Sequence, residues 1–252
     1  MKTVSLFSGG VSSAVATKLV ISEVDEVFYT HIEDQHPDTM RFVNDCAEWF
    51  GKPVRVWQSK YKSVENACLG AGGKGYIRGV AGAPCTKFLK RRVRREWELE
   101  QMERGIKLCY VWGFDSTEGA RADRLRGAMP EMEHLFPLIE QDVSKEHAHQ
   151  ILRASGIERP FMYGLGYLNN NCVGCVKGGI GYWNKIRVDF PEVFWARAKL
   201  ERRIGSSILK QYSNELGKCV DLWLDELDPQ RGRKQKPICD DCGIFCELEK
   251  IA

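Results

Sequence analysis

The chain has 252 residues, 43% hydrophobic and 28% charged, which is enough apolar material for a real core in one large or two small globular units and excludes intrinsic disorder. With 37 basic and 34 acidic residues the net charge is only +3, so charge alone does not demand a polyanionic partner. No run of about 18 apolar residues occurs and the N-terminus lacks the pattern of a secretory signal, so the expectation is a soluble, cytoplasmic protein with no membrane partner. Under reducing conditions the ten cysteines read as metal ligands, catalytic thiols or packing residues rather than disulfides.

In chain order, β-rich runs at 3–7, 26–31 and 54–57 alternate with helical patterns at 12–21 and 38–50, which predicts a parallel sheet wrapped by helices. The glycine-rich stretch 69–84 reads as a mobile flap. A long charged helix at 86–104 and a strand at 108–112 follow. From about residue 143 the composition changes to helical stretches at 145–154, 183–203 and 206–216 without parallel-strand repeats. The expected organisation is therefore α/β, with a parallel sheet and helices on both faces over 1–142 and a smaller helical, cysteine-bearing region over 143–252. A ligand crevice belongs at the carboxyl ends of the strands.

The most specific local feature is Ser8-Gly9-Gly10-Val11-Ser12-Ser13, placed where a strand turns directly into a helix. Two glycines bring backbone close to an anion, and the hydroxyls and free amides of the first helical turn point at it, with the helix dipole adding to the attraction. A phosphate or pyrophosphate suits that position. The spacing matches neither GxxxxGK[ST] nor GxGxxG. A Gly-Gly turn with a serine helix cap is the plainer alternative.

This loop resembles the pyrophosphate-binding SGGxDS element of the phosphoadenylyl-sulfate reductase-like family of the ATP pyrophosphatase, or PP-loop, superfamily. Ser8, Gly9, Gly10 and Ser13 match, whereas Ser12 stands where ATP-cleaving members carry Asp. Cys85-Thr86-Lys87-Phe88-Leu89-Lys90 is similar to the family's C-T-x-x-L-K element, residues 113–121 to its post-strand element with acidic and arginine residues, and Asn171-Cys172-Val173-Gly174-Cys175 to its G-C-x-x-C segment. The resemblance covers residues 1–180 and rests on the order of these four motifs. It implies an adenine nucleotide alpha-hydrolase-like fold that binds ATP or a related adenine nucleotide with Mg²⁺. Ser8, Gly9, Gly10, Ser12, Ser13, Gly113 and Asp115 would surround the nucleotide, while His31, Ile32 and Glu33 would receive adenine through backbone groups. Lys90 and Arg121 would stabilise developing negative charge. Asp34 and Asp38 read as turn and helix-cap residues.

Lys87, Lys90, Arg91, Arg92, Arg94 and Arg95 crowd the start of a helix that turns acidic later. This order opposes the macrodipole and points to an anionic ligand or, through residues 87–95, to nucleic acid. The alternative is a solvated face of i,i+4 pairs such as Arg92 with Glu96 and Arg94 with Glu98. Two CxxC pairs, Cys172/Cys175 and Cys239/Cys242, followed by Cys246, have ligand-like spacing for zinc or an iron–sulfur cluster. The family resemblance adds Cys85 and tilts the expectation toward a [4Fe–4S] cluster, with Zn²⁺ as the alternative. Residues 241–245 also resemble a degraded form of the E-C-G-L-H tail of sulfonucleotide reductases, in which Cys242 would be the nucleophile. Three functions stand side by side at this point. The first is ATP-dependent adenylation of a substrate for sulfur transfer, with nucleic acid a candidate acceptor and a sulfur-donor protein as partner. The second is reduction of an adenylyl-sulfate by Cys242 with a thiol reductant protein. The third is a non-catalytic protein that binds nucleic acid or another partner.

Overall fold

The computed structural model of the chain describes residues 1–79 and 82–232. The first four apolar runs fold as β1 (Lys2–Phe7), β2 (Glu26–His31), β3 (Val54–Gln58) and β4 (Leu108–Val111), and β5 (Glu133–Leu135) completes the sheet. All five strands are parallel, in the order β3-β2-β1-β4-β5. Parallel neighbours need crossover connections. These are α1 (Val11–Leu19), α2 (Asp38–Phe50), α3 (Val64–Leu69), a π-helical segment Thr86–Arg91 continuing into α4 (Arg92–Glu103), and α5 (Gly119–Ala128). The chain direction reverses across the sheet between β1 and β4, where the loops after the two strands part and leave a crevice.

Helices on both faces explain why the central strands are so apolar. Every residue of β4 is buried, as are Val4 and Phe7 of β1. Ser5 fits that interior because its hydroxyl lies 2.6 Å from the Thr17 hydroxyl of α1, which itself donates to the Ser13 carbonyl at 2.7 Å. The polar pair is thus satisfied internally and fastens α1 to the strand that aims it. The glycine-rich stretch is anchored at its described ends, where Ile77 and Ala83 are buried and Gly79 pairs with Gly82.

After β5 come α6 (Pro137–Glu140), α7 (Lys145–Ala154), α8 (Phe161–Gly164), α9 (Ile180–Asp189) and α10 (Pro191–Ile204). Then follow the strands β6 (Leu209–Ser213) and β7 (Lys218–Leu222) and a 3₁₀ turn Leu224–Glu226. Two expectations are corrected here. The helix expected at 183–203 is two helices, because Pro191 cannot continue α9 and opens α10 at its first position. The helix expected at 206–216 is the antiparallel β6–β7 hairpin, with Leu209 opposite Leu222 and Tyr212 opposite Cys219. Ile208, Leu209, Tyr212 and Leu216 suit a helical face by spacing. Only Ile208 and Leu209 reach the core, while Tyr212 and Leu216 are exposed and the strand ladder satisfies the backbone instead.

Buried side chains from before and after residue 142 share cores. Ile32, Ile77 and Leu89 pack with Trp183, Phe194 and Leu224, and Phe7, Val15 and Phe42 pack with Val143 and Leu152. An ion pair crosses the first of these interfaces. Arg197 of α10 reaches Asp34 after β2 and also donates to the Gly174 carbonyl. Among the described residues, no helix is long and apolar enough to cross a membrane.

Glu201 of α10 is fully buried and accepts backbone N–H bonds from Ile208 and Leu224. Burial outweighs those bonds and pushes its carboxyl up from 4.5 to about 7. A carboxyl whose folded pKa is raised holds a proton in the folded state that the unfolded chain releases first, so its stabilisation is lost as pH rises from about 4.5 to 7. Urea unfolding at pH 5 and pH 8 should therefore show a loss of roughly 3 kcal/mol that Glu201→Gln removes. A pH profile identical in the variant would overturn this.

Candidate nucleotide site

The Ser8–Ser13 loop leaves the carboxyl end of β1 and enters α1 without a side-chain cap at Gly10. The amides of Ser12 and Ser13 consequently make no backbone hydrogen bond within the protein among the described residues. The loop is braced from within and from outside. The Ser8 and Ser13 hydroxyls lie 2.8 Å apart, and that of Ser13 donates to the Gly10 carbonyl at 2.9 Å. Gly9 has φ +79°, and a Cβ there would lie 3.0 Å from Thr39 and 3.1 Å from Tyr29, so position and conformation both require glycine. From the C-terminal part, the buried Asn170 amide donates to the Gly9 carbonyl at 2.8 Å and to Thr39 at 3.1 Å, and the Val11 amide donates to the Tyr163 hydroxyl at 3.3 Å.

These contacts form the floor of a narrow cleft of about 30 Å³ of free space. Its lining comes from four directions: Ser8, Gly10, Ser12 and Ser13; Gln35 after β2; Lys90 of the π-helical segment; and Asp115 and Glu118 after β4. Lys145, Tyr163, Asn169–Asn171 and Cys172 close the remaining side. Asp115 accepts from the amide and hydroxyl of Thr117 through one oxygen, at 2.9 and 2.6 Å. Glu118 pairs with Arg121 at 2.6 Å, and burial pushes its carboxyl up against that pairing. Burial likewise pushes the Cys172 thiol far up, with the Lys90 ammonium pulling the other way, so it is protonated at neutral pH.

Gly113 sits where β4's end meets α1, and a Cβ there would lie 2.5 Å from Ser13 Cα and 2.7 Å from its amide nitrogen. Gly113→Ala must displace backbone of the anion loop itself. The expected result is at least about tenfold weaker binding of a non-hydrolysable ATP analogue, as one or two amide hydrogen bonds are lost. Calorimetry on a variant that keeps its circular dichroism spectrum checks it.

Of the residues singled out from sequence, Ser8, Gly10, Ser12, Ser13, Lys90, Asp115 and Cys172 line this cleft. Arg121 is not in its lining but pairs with Glu118, which is, and its guanidinium lies 4.3 Å over the Phe114 ring. His31 and Ile32 lie outside the lining. The Ile32 amide, expected to face adenine, is bonded to Gln35 Oε1 at 2.9 Å, and His31 Nδ1 is buried with no hydrogen-bond partner among the described residues. Asp34 is not merely a turn residue, because its carboxylate receives both the Val64 amide at 2.6 Å and Arg197. Gln35, Lys145, Tyr163 and Asn170 were not singled out for the site, whereas Glu118 stands within the 113–121 element whose acidic residues were expected there. The Asn169-Asn170-Asn171 run beside Cys172 gave a signal that could have marked Asn170.

The basic helix largely resolves into internal pairing. Arg92 bonds Glu96 at 2.8 Å, and Arg94 is buried against Glu98 at 2.8 Å beneath Tyr110. Arg94 is therefore a core residue and does not face nucleic acid, and burial lowers its pKa. Cys85, Cys172 and Cys175 lie near enough to influence one another's ionisation. Nevertheless, among the described residues no three His, Cys, Asp or Glu side chains converge into a metal-holding group. The thiols present here do not by themselves fit a cluster or a zinc ion. Cys239, Cys242 and Cys246 lie outside the described residues.

An anion cradle at the carboxyl edge of a five-stranded parallel sheet, beside the point where the strand order reverses, defines a doubly wound α/β protein of the nucleotide-site type. The family model of the phosphoadenosine phosphosulfate reductase domain, a member of the PP-loop, adenine nucleotide alpha-hydrolase-like superfamily, matches residues 2–102. The match covers the Ser8–Ser13 loop and the Cys85–Lys90 element and stops before β4. No curated protein matches the chain.

Proposed function

We propose that this protein is an adenine-nucleotide-dependent enzyme of sulfur chemistry that binds ATP with its phosphates on the Ser8–Ser13 loop. An acceptor oxygen attacks the α-phosphorus, the bond from that phosphorus to the bridging oxygen breaks, and pyrophosphate leaves. Sulfide then attacks the acceptor carbon that bears the adenylate, a C–S bond forms, the C–O bond breaks and AMP leaves. The single observation behind this reading is the cleft's mixed lining, in which free amides and Lys90 meet two carboxylates and a thiol in one place.

Those two carboxylates suit Mg²⁺, which favours one or two carboxylates together with phosphate oxygens. They stand in the cleft that Ser12 lines where relatives carry Asp. Bound there, the ion would neutralise charge on the departing pyrophosphate. Lys90 holds the α-phosphate and stabilises the charge that builds on it, the loop amides hold the leaving pyrophosphate, and Asn170 and Tyr163 keep the loop in place. The Cys172 thiol supplies a sulfur-bearing group beside the reacting phosphate.

The test is incubation with ATP labelled at the α-phosphate, Mg²⁺, sulfide and pooled candidate acceptors. The expected result is AMP and pyrophosphate in equal amounts, dependent on Mg²⁺. Sulfite release from a sulfonucleotide without pyrophosphate would overturn this reading in favour of the reductase. Absence of adenine-nucleotide binding, together with salt-sensitive nucleic-acid binding, would favour the binding protein.

A further inference from the structure

Beside the narrow cleft lies a second, larger cavity of about 480 Å³, and Lys145 and Tyr163 line both spaces. Tyr163 is the wall between them. Its hydroxyl accepts from the Val11 amide at the head of α1, while its ring packs edge-on against His149 with centroids 4.8 Å apart. The cavity's charge is one-sided. Lys145, His149 and Arg153 recur every fourth residue on one face of α7, Arg159 joins them from the connection to α8, and Glu146 is the lone carboxylate in the lining. Burial, and after it the charges of Arg159, Lys145 and Arg153, bring the His149 imidazole down to about 4.

Helix-dipole compensation accounts for Arg153, which stands in the last turn of α7. It does not account for Lys145, which opens the same helix where a cation is unfavourable, nor for Arg159, which lies outside it. Arg153 and Arg159 are exposed and make no side-chain ion pair or hydrogen bond among the described residues. Lys145 also donates to Asn169 Oδ1 at 2.5 Å, so Arg153 and Arg159 are the cations that an anion in the cavity would neutralise.

We infer that this cavity is the acceptor subsite and takes a phosphate-bearing nucleotide unit, its phosphate among Lys145, Arg153 and Arg159 and its remainder against Tyr163 and Tyr167. The inference rests on the nucleotide reading of the neighbouring cleft. A volume of about 480 Å³ exceeds what a phosphate alone fills, and the shared wall delivers the ligand next to the anion loop. The basic segment 87–95 gives Lys90 to the cleft, while Arg94 is buried against Glu98 and Arg92 is paired with Glu96, and Lys145 links the cleft to the cavity's cations.

The test uses the full chain saturated with a non-hydrolysable ATP analogue, titrated with uridine 5′-monophosphate, a single-stranded oligo-uridylate of eight residues and inorganic phosphate. The expected result is that one or both nucleotide probes bind at least tenfold more tightly than inorganic phosphate. The paired substitutions Arg153→Glu and Arg159→Glu should weaken that binding at least tenfold while the ATP analogue's affinity changes less than twofold. Proton NMR should also show the His149 pKa rising by about one pH unit or more when the probe binds. Equal binding of both nucleotides identifies a free mononucleotide as the source, and a strong preference for the oligomer identifies a nucleic-acid strand. The inference is overturned if inorganic phosphate binds as well as the nucleotides, if the charge reversals change nothing, or if the probes compete with the ATP analogue. The last outcome would mean that the cavity houses the ATP nucleoside itself. Failure of the ATP analogue to bind while the probes still respond to the Arg153 and Arg159 changes would instead sink the reading of the cleft and leave the cavity standing.

Discussion

Replacing Lys90 by methionine is expected to lower the rate of pyrophosphate formation by about 10²- to 10³-fold. Lys90 projects from the π-helical segment into the cleft that contains the Ser8–Ser13 loop, where its ammonium is placed to meet charge developing on the α-phosphorus. An interaction stronger in the transition state than in the ground state appears in kcat more than in substrate affinity. The ATP analogue should therefore bind within about tenfold of its wild-type affinity while kcat collapses. A fall confined to KM would show that Lys90 only gathers substrate. Unchanged kinetics would remove it from the mechanism.

The second large effect concerns folding. Arg197→Leu is expected to cost about 3–5 kcal/mol, the range for breaking one side of a buried ion pair, and to lower the melting temperature by roughly 10 °C. The guanidinium side chain is 5% exposed and the Asp34 carboxylate 13%. The same aspartate accepts the Val64 amide, its carbonyl accepts the Val173 amide at 2.7 Å, and Arg197 also bonds the Gly174 carbonyl at 3.3 Å. Removing the arginine leaves a carboxylate stranded in the interior and frees the turn that presents Cys172 to the cleft. The double variant Asp34→Asn with Arg197→Leu should recover much of the loss, because the stranded charge is then gone and the asparagine oxygen still accepts from Val64. Thermal melts of the two variants decide it. A loss below about 1 kcal/mol in Arg197→Leu alone would show that solvent reaches the pair.

The paired charges at the start of α4 make the same physical point from the other side. By sequence Arg92 and Arg94 are equivalent members of a basic run, and their i,i+4 partners are visible in advance. Only the packing of α4 against β4 separates them, leaving Arg92 in solvent and Arg94 under Tyr110 with a fully buried Glu98. The same limit applied to Asp34. A short polar residue after a strand reads as a turn, and its partner is 163 residues away, a separation that no local pattern reports.

What local patterning determines here is the parallel sheet, its strand order through β4 with the helices that join those strands except α3, and the anion loop. Each of these rests on interactions within a few residues: alternating apolar runs, a glycine at positive φ, and free amides at a helix start. Tertiary structure alone decided which distant side chains complete the site. Asn170 and Tyr163 brace the loop from more than 150 residues away, Gln35 and Lys145 join the cleft from distant segments, and Cys172 enters it from the connection between α8 and α9. Tertiary packing also settled the hairpin over 209–222, where an apolar spacing compatible with a helix gave way to a strand ladder because only its first residues had a core to enter. The physical reason is the same throughout: backbone geometry is encoded locally, whereas convergence on a site depends on contacts whose closure the linear order does not specify.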